Sequence, residues 1–392
     1  MHFISLTYLV FLFISATIYW FFPVKHRKLF LIFISLLFIC SYKWVIAFLF
    51  LFMGTATYFS SRFILSTTSN WKKKIIFISI LIGFIVSLFL YKYFGLNLLL
   101  VHSSFESFDF LIALGFSYVS FRMIHYIIES YRKNVPDVSF LDFICYVVFF
   151  PIFLAGPIER FQAFHRQTAE NKHIGFYDVN YGLYRIICGV FKKVAVADVI
   201  SKLITPVLYY PLGHSKTILI LSVYGLAIQI YMDFSGYTDI AIGSARLFGY
   251  RLTENFNRPF LQKNIALFWR NWHISLYTWI RDYFFFPLFG YRASKVKIYI
   301  GIFFSMMVFI LWHRLSLSFF ILGLYHGTGL ICWHIFQGVK RKYPIIRRGI
   351  SKRYLDPISI FFTFSFHAFG TLFFIMNFEQ VLIIVKSIIN LK

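Results

Sequence analysis

Long apolar runs, punctuated by short basic clusters, organise this chain. Crossing about 30 Å of hydrocarbon takes roughly 20 apolar helical residues at 1.5 Å each, and windows 3–22, 75–91, 217–232, 298–313, 315–336 and 358–378 have that character. Stretch 29–64, read as a helical hairpin, and stretch 110–128 carry few charges and supply three more candidates. Open strands would leave backbone groups unsatisfied in lipid, so the expected fold is all-α: a polytopic transmembrane helical bundle of roughly 9–11 spans with re-entrant or interfacial helices. Only Met1 and His2 precede the first window, without a basic leader or small-residue cleavage site, so it reads as a retained span.

The texture changes near residue 135. Before it lie plain spans; after it Gly, Pro, Asp, Arg and His interrupt the apolar windows, and such residues at membrane depth are tolerated where they line a cavity or pack inside protein. The expected organisation is one membrane-embedded domain over 1–392, with peripheral spans in 1–135, a catalytic core in 136–340 and a C-terminal span in 341–392. Stretch 251–290 is the least span-like, with Arg251, Glu254, Asn257, Arg258, Lys263, Arg270, Arg281 and Asp282 spread among aromatic residues, and predicts interfacial or re-entrant helices.

Composition agrees: 59% hydrophobic, 22% aromatic and 14% charged residues exclude an ordinary soluble domain. A net charge of +24 would suggest nucleic acid in a soluble protein. Here the charge flanks apolar windows, at Lys25-His26-Arg27-Lys28, Lys72-Lys73-Lys74, Arg132-Lys133 and Lys340-Arg341-Lys342 running to Arg353, which is positive-inside patterning and implies no nucleic acid partner. Placing these clusters in the cytosol puts the N-terminus outside. Cys40, Cys145, Cys188 and Cys332 lie in apolar surroundings without CxxC spacing and predict buried packing.

Candidate chemistry rests on histidine. His313 closes the run IYIGIFFSMMVFILWH, His326 follows in GLYHG, and His273 lies in FWRNWHISL; a histidine in an apolar window is costly without a partner or a task. Each can also simply pack against a backbone carbonyl, and His334 and His367, which lack a surrounding motif, are read that way. A metal site is a further alternative, since His326 and His334 fall roughly on one helical face, but no i, i+4 pair or carboxylate in register supports it, and no metal is expected. The run YMDFSGYTDIAIG carries Asp233 and Asp239 around Gly236, where a helix break near Ser235-Gly236 is as good an explanation as catalysis. FFPIFLAGPIERF predicts a bent element with Glu159 and Arg160 as an ion pair at the membrane edge. The chain has no G-x-S-x-G elbow, phosphate loop or H-E-x-x-H motif, against a serine hydrolase, nucleotide-driven pump or zincin.

Taken in order, FISLTYLVFLFISATIYWFFP, LGFSYVSFRMIHYIIESYR, FPIFLAGPIERF, YMDFSGYTDIAIGSARLFGYRLTENFNRPF, FWRNWHISLYTWIRDYFFFPLFG, LWH and GLYHG resemble the membrane-bound O-acyltransferase family over nearly the whole chain. Within it the resemblance is to the bacterial branch of alginate O-acetyltransferase and the D-alanyl transfer protein of teichoic acid. It implies helices around a central tunnel, with His313 as the catalytic histidine and His273 as the second histidine of the same catalytic tunnel. Arg270, Asn271, Trp272, Asp233, Trp312, Arg314 and His326 would support that tunnel. Arg314 stands where the family usually has glycine, and Asn271 where alginate-type members often carry arginine; the latter matches the teichoic-acid side. The chain is also shorter than many alginate-type members.

The resemblance implies transfer of an acyl group, acetyl favoured over D-alanyl, from a cytosolic thioester (acetyl-CoA or an acyl-carrier protein) to hydroxyls of an exported cell-envelope polysaccharide. No bound cofactor is expected. An extracytoplasmic acyltransferase partner and a place in the cell inner membrane are implied too. A polar-solute transporter and an inactive assembly platform are the rival readings.

Overall fold

The structure is a computed structural model that describes residues 4–93, 106–154, 156–169, 173–343 and 352–389. Its elements begin with α1 (Leu6–Phe21), α2 (Val24–Cys40), α3 (Trp44–Ser66), α4 (Asn70–Tyr93), α5 (Glu106–Tyr131), α6 (Phe140–Val148), α7 (Phe161–Ala169) and α8 (Phe176–Val190). After a π-helical segment at Phe191–Ala197 come α9 (Asp198–Tyr209), α10 (Lys216–Leu247), α11 (Ile265–Asn271) and α12 (Ile274–Ile280). A second π-helical segment, Arg281–Phe285, leads into α13 (Phe286–Phe289), α14 (Lys295–Leu311), α15 (Leu317–Lys342), α16 (Lys352–Ile375) and α17 (Phe378–Ile389). Among the described residues the only strand-like feature is an isolated bridge between Phe256 and Trp272.

Among the described residues five helical stretches are long and apolar enough to cross a membrane: Trp44–Ser66, Asn70–Leu90, Lys216–Leu247, Leu317–Lys342 and Leu355–Ile375. The remaining windows fall on helices too: 3–22 on α1, the 29–64 hairpin on α2 and α3, 110–128 on α5 and 298–313 on α14. Part of the basic stretch running to Arg353, residues 344–351, lies outside the described residues. The chain divides into two compact units, Met1–Val190 with Tyr237–Thr253, and Phe191–Gly236 with Glu254–Lys392. α10 is one continuous helix that contributes to both, so the expected break near Ser235-Gly236 does not occur. The aspartates there do not cap a helix end; each is ion-paired.

In the first unit α3 shows how a span chooses its faces. Trp44, Phe48, Phe52, Phe59 and Phe63 are exposed, whereas Gly54, Thr57, Ser61 and Ile64 are buried beside two rings, Phe50 and Tyr58. Lipid accepts the large rings, and the small and hydroxyl side chains go inward, where they permit close backbones and find partners such as Ser61 with Ser130 at 2.7 Å. α6 starts on a capping box between Ser139 and Asp142 and ends before Pro151. Proline has no N–H for the carbonyl four residues back, Val147. The buried Arg122 serves that carbonyl at 3.1 Å and the neighbouring Tyr146 carbonyl at 2.6 Å. The bend predicted at FFPIFLAGPIERF is therefore present, but Glu159 is buried and accepts the backbone N–H of Thr253.

Two ion pairs cross from α8 to the end of α10 in this unit, Arg185 to Asp239 at 2.5 Å and Asp178 to Arg246 at 2.7 Å. Between them the helices nearly touch at glycine: a Cβ on Gly243 would lie 2.5 Å from the Gly182 carbonyl oxygen. The cysteine expectation holds only in part. Cys145 is buried and Cys188 half-buried, but Cys40 and Cys332 are exposed, as an apolar thiol facing lipid can be.

In the second unit α9, the first part of α10, α16 and α17 share a core of Ile204, Leu208, Val223, Leu226, Ala368, Leu372, Val381 and Ile384. Tyr224 and Ser365 join hydroxyls across it at 2.7 Å. Lys193, on the first π-helical segment, holds both Asp233 of α10 at 2.5 Å and Asp198 at 2.7 Å.

Candidate active site

The expected fragmentation of 251–290 is what the second unit shows. Asn264 caps α11, accepting the Leu267 N–H at 2.9 Å, and the helix lasts only to Asn271. Trp272 is extended and His273 adopts φ +46°, the left-handed region that a β-carbon disfavours, so the chain turns sharply before α12 begins. Strain of this kind persists only where surroundings enforce it. They do so here through a short antiparallel pairing with the loop after α10: Asn257 N–H donates to the Asn271 carbonyl at 3.1 Å, and Ile274 N–H to the Asn255 carbonyl at 2.9 Å.

This turn buries the His273 ring. Its Nδ1 lies 3.2 Å from Asn255 Oδ1, and its faces and edges meet Phe234 of α10 and Phe309 of α14, with ring centroids 4.8 and 6.1 Å away. Burial pushes the imidazole down to about 3, so it is neutral at physiological pH. Phe309 also packs on Trp269 of α11 at 4.8 Å, and Trp269 in turn packs on His326 of α15 at 5.0 Å. His326 stacks on His367 of α16 at 4.9 Å. Five elements, α10, α11 with the turn after it, α14, α15 and α16, thus meet in one aromatic cluster that contains three histidines.

His313 follows Trp312, the C-cap of α14, whose last turn includes Phe309. It is half-buried, tilted against Trp312 at 4.1 Å and edge-on to Phe374 of α16 at 5.1 Å. Phe309 is the link between this histidine and His273: one side chain of α14 touches the His273 ring, and the chain reaches His313 four residues on. His313 is thus neither buried like His273 nor exposed like the next residue, Arg314.

The other predicted residues separate. Trp272 packs in the aromatic layer of Tyr231, Phe256, Phe260 and Phe268. Asn271 donates a side-chain hydrogen back to the Leu267 carbonyl at 2.8 Å, so part of its donor capacity serves its own helix. Arg270 and Arg314 are exposed, and Asp233 is the partner of Lys193. Among the described residues no group of three His, Cys, Asp or Glu is placed to hold a metal ion; His326 meets His367, while His334 packs against Trp333. Sequence reasoning did not single out Asn255 or Trp269, and His367, read there as a packing residue, stacks on Phe268 and His326. Asn255 lay within a quoted motif, TENFN, yet nothing local distinguishes its buried amide from that of Asn257, which is exposed.

The profile of the membrane-bound O-acyltransferase family matches residues 36–376. A probable alginate O-acetylase of Pseudomonas syringae pv. tomato is 34% identical over 263 residues, 64% of this chain and 50% of that protein. A peptidoglycan O-acetyltransferase of Helicobacter pylori is 28% identical over 405 residues, 93% of this chain and 74% of that protein. A teichoic acid D-alanyltransferase of Bacillus subtilis is 33% identical over 273 residues, 66% of this chain and 67% of that protein. The chain's match spans about half the length of the alginate O-acetylases.

Proposed function

The chain belongs to the membrane-bound O-acyltransferase family, and from that premise we propose that it moves an acyl group from a cytosolic thioester to hydroxyls of an exported cell-envelope polysaccharide, with His313 as general base. Family membership and five membrane-length apolar helices make it a multi-pass membrane protein; its place in the cell inner membrane belongs to the proposal. Acetyl is the acyl group favoured, since the relatives named for alginate and peptidoglycan are acetyl-transferring proteins. D-alanyl transfer is the second reading, carried by the relative named for teichoic acid and by Asn271 in place of arginine.

The observation that carries the mechanism is the position of His313, half-buried just past the end of α14 against the rings of Trp312, Phe319 and Phe374. Acyl thioesters are made in the cytosol and the glycan lies outside, so the reacting groups must meet within the protein. The acceptor hydroxyl oxygen attacks the thioester carbonyl as His313 takes its proton. The tetrahedral intermediate then collapses, the C–S bond breaks, and the imidazolium returns the proton to the leaving thiolate, so a thiol departs and an ester remains. Aromatic walls that exclude water favour transfer over hydrolysis. An extracytoplasmic partner would complete delivery to polymer.

The test is mass and NMR analysis of envelope and secreted polysaccharide from cells carrying the wild type, His313→Ala, or neither. A positioned general base is worth roughly 10²–10⁴-fold, so the ester should be lost equally in the last two, and its identity names the acyl group and acceptor. Wild-type ester levels in inserted His313→Ala protein would overturn the mechanism. No ester difference between wild type and deletion would favour a transporter or an assembly platform.

A further inference from the structure

We propose that Asn255 is a positioning residue that fixes the His273 imidazole as its neutral Nδ1–H tautomer, leaving Nε2 as the ring's hydrogen-bond acceptor. The inference rests on the acyl-transfer reading for its use, but the geometry stands by itself. Asn255 is 0% exposed. Its Oδ1 accepts the backbone N–H of Ser275 at 3.1 Å and the Ser275 hydroxyl at 2.7 Å, and lies 3.2 Å from His273 Nδ1.

A backbone N–H can only donate, so the amide atom facing Ser275 is the oxygen, and its orientation follows from the chain itself. The same oxygen faces His273 Nδ1, which must therefore carry the proton. The proton-accepting lone pair of the neutral ring is then on Nε2. Asn255 Nδ2, meanwhile, is buried and has no hydrogen-bond partner among the described residues. Holding these contacts thus leaves a buried donor unsatisfied, which is unusual in a native interior.

Aspartate would accept from the same donors without an orphaned amide. It would also set a buried negative charge against the imidazole and hold it protonated, which removes the acceptor. Asparagine orients the ring and leaves it neutral. The rings of Phe234 and Phe309 pack against the imidazole. Asp233 beside Phe234 is held by Lys193, and Glu254, Arg258 and Arg270 are exposed.

The test uses the full chain in lipid bilayers, labelled with ¹⁵N-histidine and read by solid-state NMR, with His273 assigned by difference from His273→Gln. At neutral pH the wild type should show a protonated Nδ1 and an unprotonated Nε2. The near-isosteric Asn255→Asp should show both nitrogens protonated, and Asn255→Leu should lose the Nδ1–H preference. A wild-type ring protonated on Nε2, or one unchanged in both variants, overturns the assignment whether or not the protein transfers acyl groups. Polysaccharide ester content supplies the second arm. Asn255→Asp should lose on the order of 10²-fold and recover as pH rises past the new imidazolium, a rescue that a merely structural defect would not show. Undiminished ester in Asn255→Leu with an altered tautomer would overturn the positioning role. A wild type without transfer would remove the acyl-transfer reading and leave the spectrum to decide the tautomer.

Discussion

Breaking the buried pair between Arg185 and Asp239 should cost more than removing it altogether. The guanidinium and carboxylate approach to 2.5 Å, with side chains only 14% and 9% exposed. With charge centres about 4 Å apart, their attraction is about 4 kcal/mol at an effective dielectric constant of about 20. Removing one partner forfeits that attraction and strands the other charge, which for buried pairs costs about 3–5 kcal/mol. Replacing both by apolar residues of similar size removes the desolvation penalty as well, an exchange that is neutral or stabilising by about 1–4 kcal/mol in comparable cases. Arg185→Met and Asp239→Leu should therefore each destabilise strongly, and the double variant should be more stable than either. Equilibrium unfolding in mixed micelles, arranged as a double-mutant cycle, reads the difference. Additive losses in the double variant would refute the reasoning. The cycle also separates the two readings of YMDFSGYTDIAIG, because a structural Asp239 permits near-normal ester in the double variant and a reacting Asp239 does not.

The close approach of α8 and α10 gives a second expectation. Gly243→Ala places a Cβ against the Gly182 carbonyl and Ile186, and overpacking of this kind costs about 1–3 kcal/mol; Gly83→Ala in α4, where nothing lies within 4 Å, should instead be neutral or gain up to about 1 kcal/mol in the same unfolding assay. Acid should weaken the fold through His273. The ring is neutral down to about 3 when folded but takes a proton near 6.5 when unfolded, so the unfolded chain binds more protons below that value. That stability, on the order of 5 kcal/mol at most, is complete above pH 6.5 and lost as pH falls towards 3. Unfolding measured from pH 7 to pH 4 should be less acid-sensitive in His273→Gln than in the wild type, and parallel curves would contradict the assignment.

Spans were legible because lipid imposes a length and a composition on any segment that crosses it. Windows 217–232 and 315–336 needed only a count of apolar residues to be found, and both lie on long helices. Which face turns inward was not legible, since α3 exposes Phe48, Phe52, Phe59 and Phe63 yet buries Phe50 together with Thr57 and Ser61. The interruption of 251–290 was visible as scattered charge, but not the left-handed turn at His273, which an Asn255 contact and backbone pairing enforce from a distant loop. His273, His313 and His326 stood out because imidazole in an apolar run is expensive. Trp269 and His367 did not, because an aromatic residue among aromatics carries no signal until the helices are assembled.

The charges inside α10 bear on how the protein is made. Asp233, Asp239 and Arg246 each weigh against partitioning of this helix into the bilayer as it leaves the ribosome; an aspartate or arginine at a span's centre costs roughly 2.5–3.5 kcal/mol on insertion scales. Their counter-charges, Lys193, Arg185 and Asp178, all precede α10 in the chain and have already been synthesised when it emerges. Synthesis order therefore offers α10 a neutralising surface at the moment of insertion. Moving residues 176–197 behind α10 by permutation would leave it to enter the translocon with its charges unmatched.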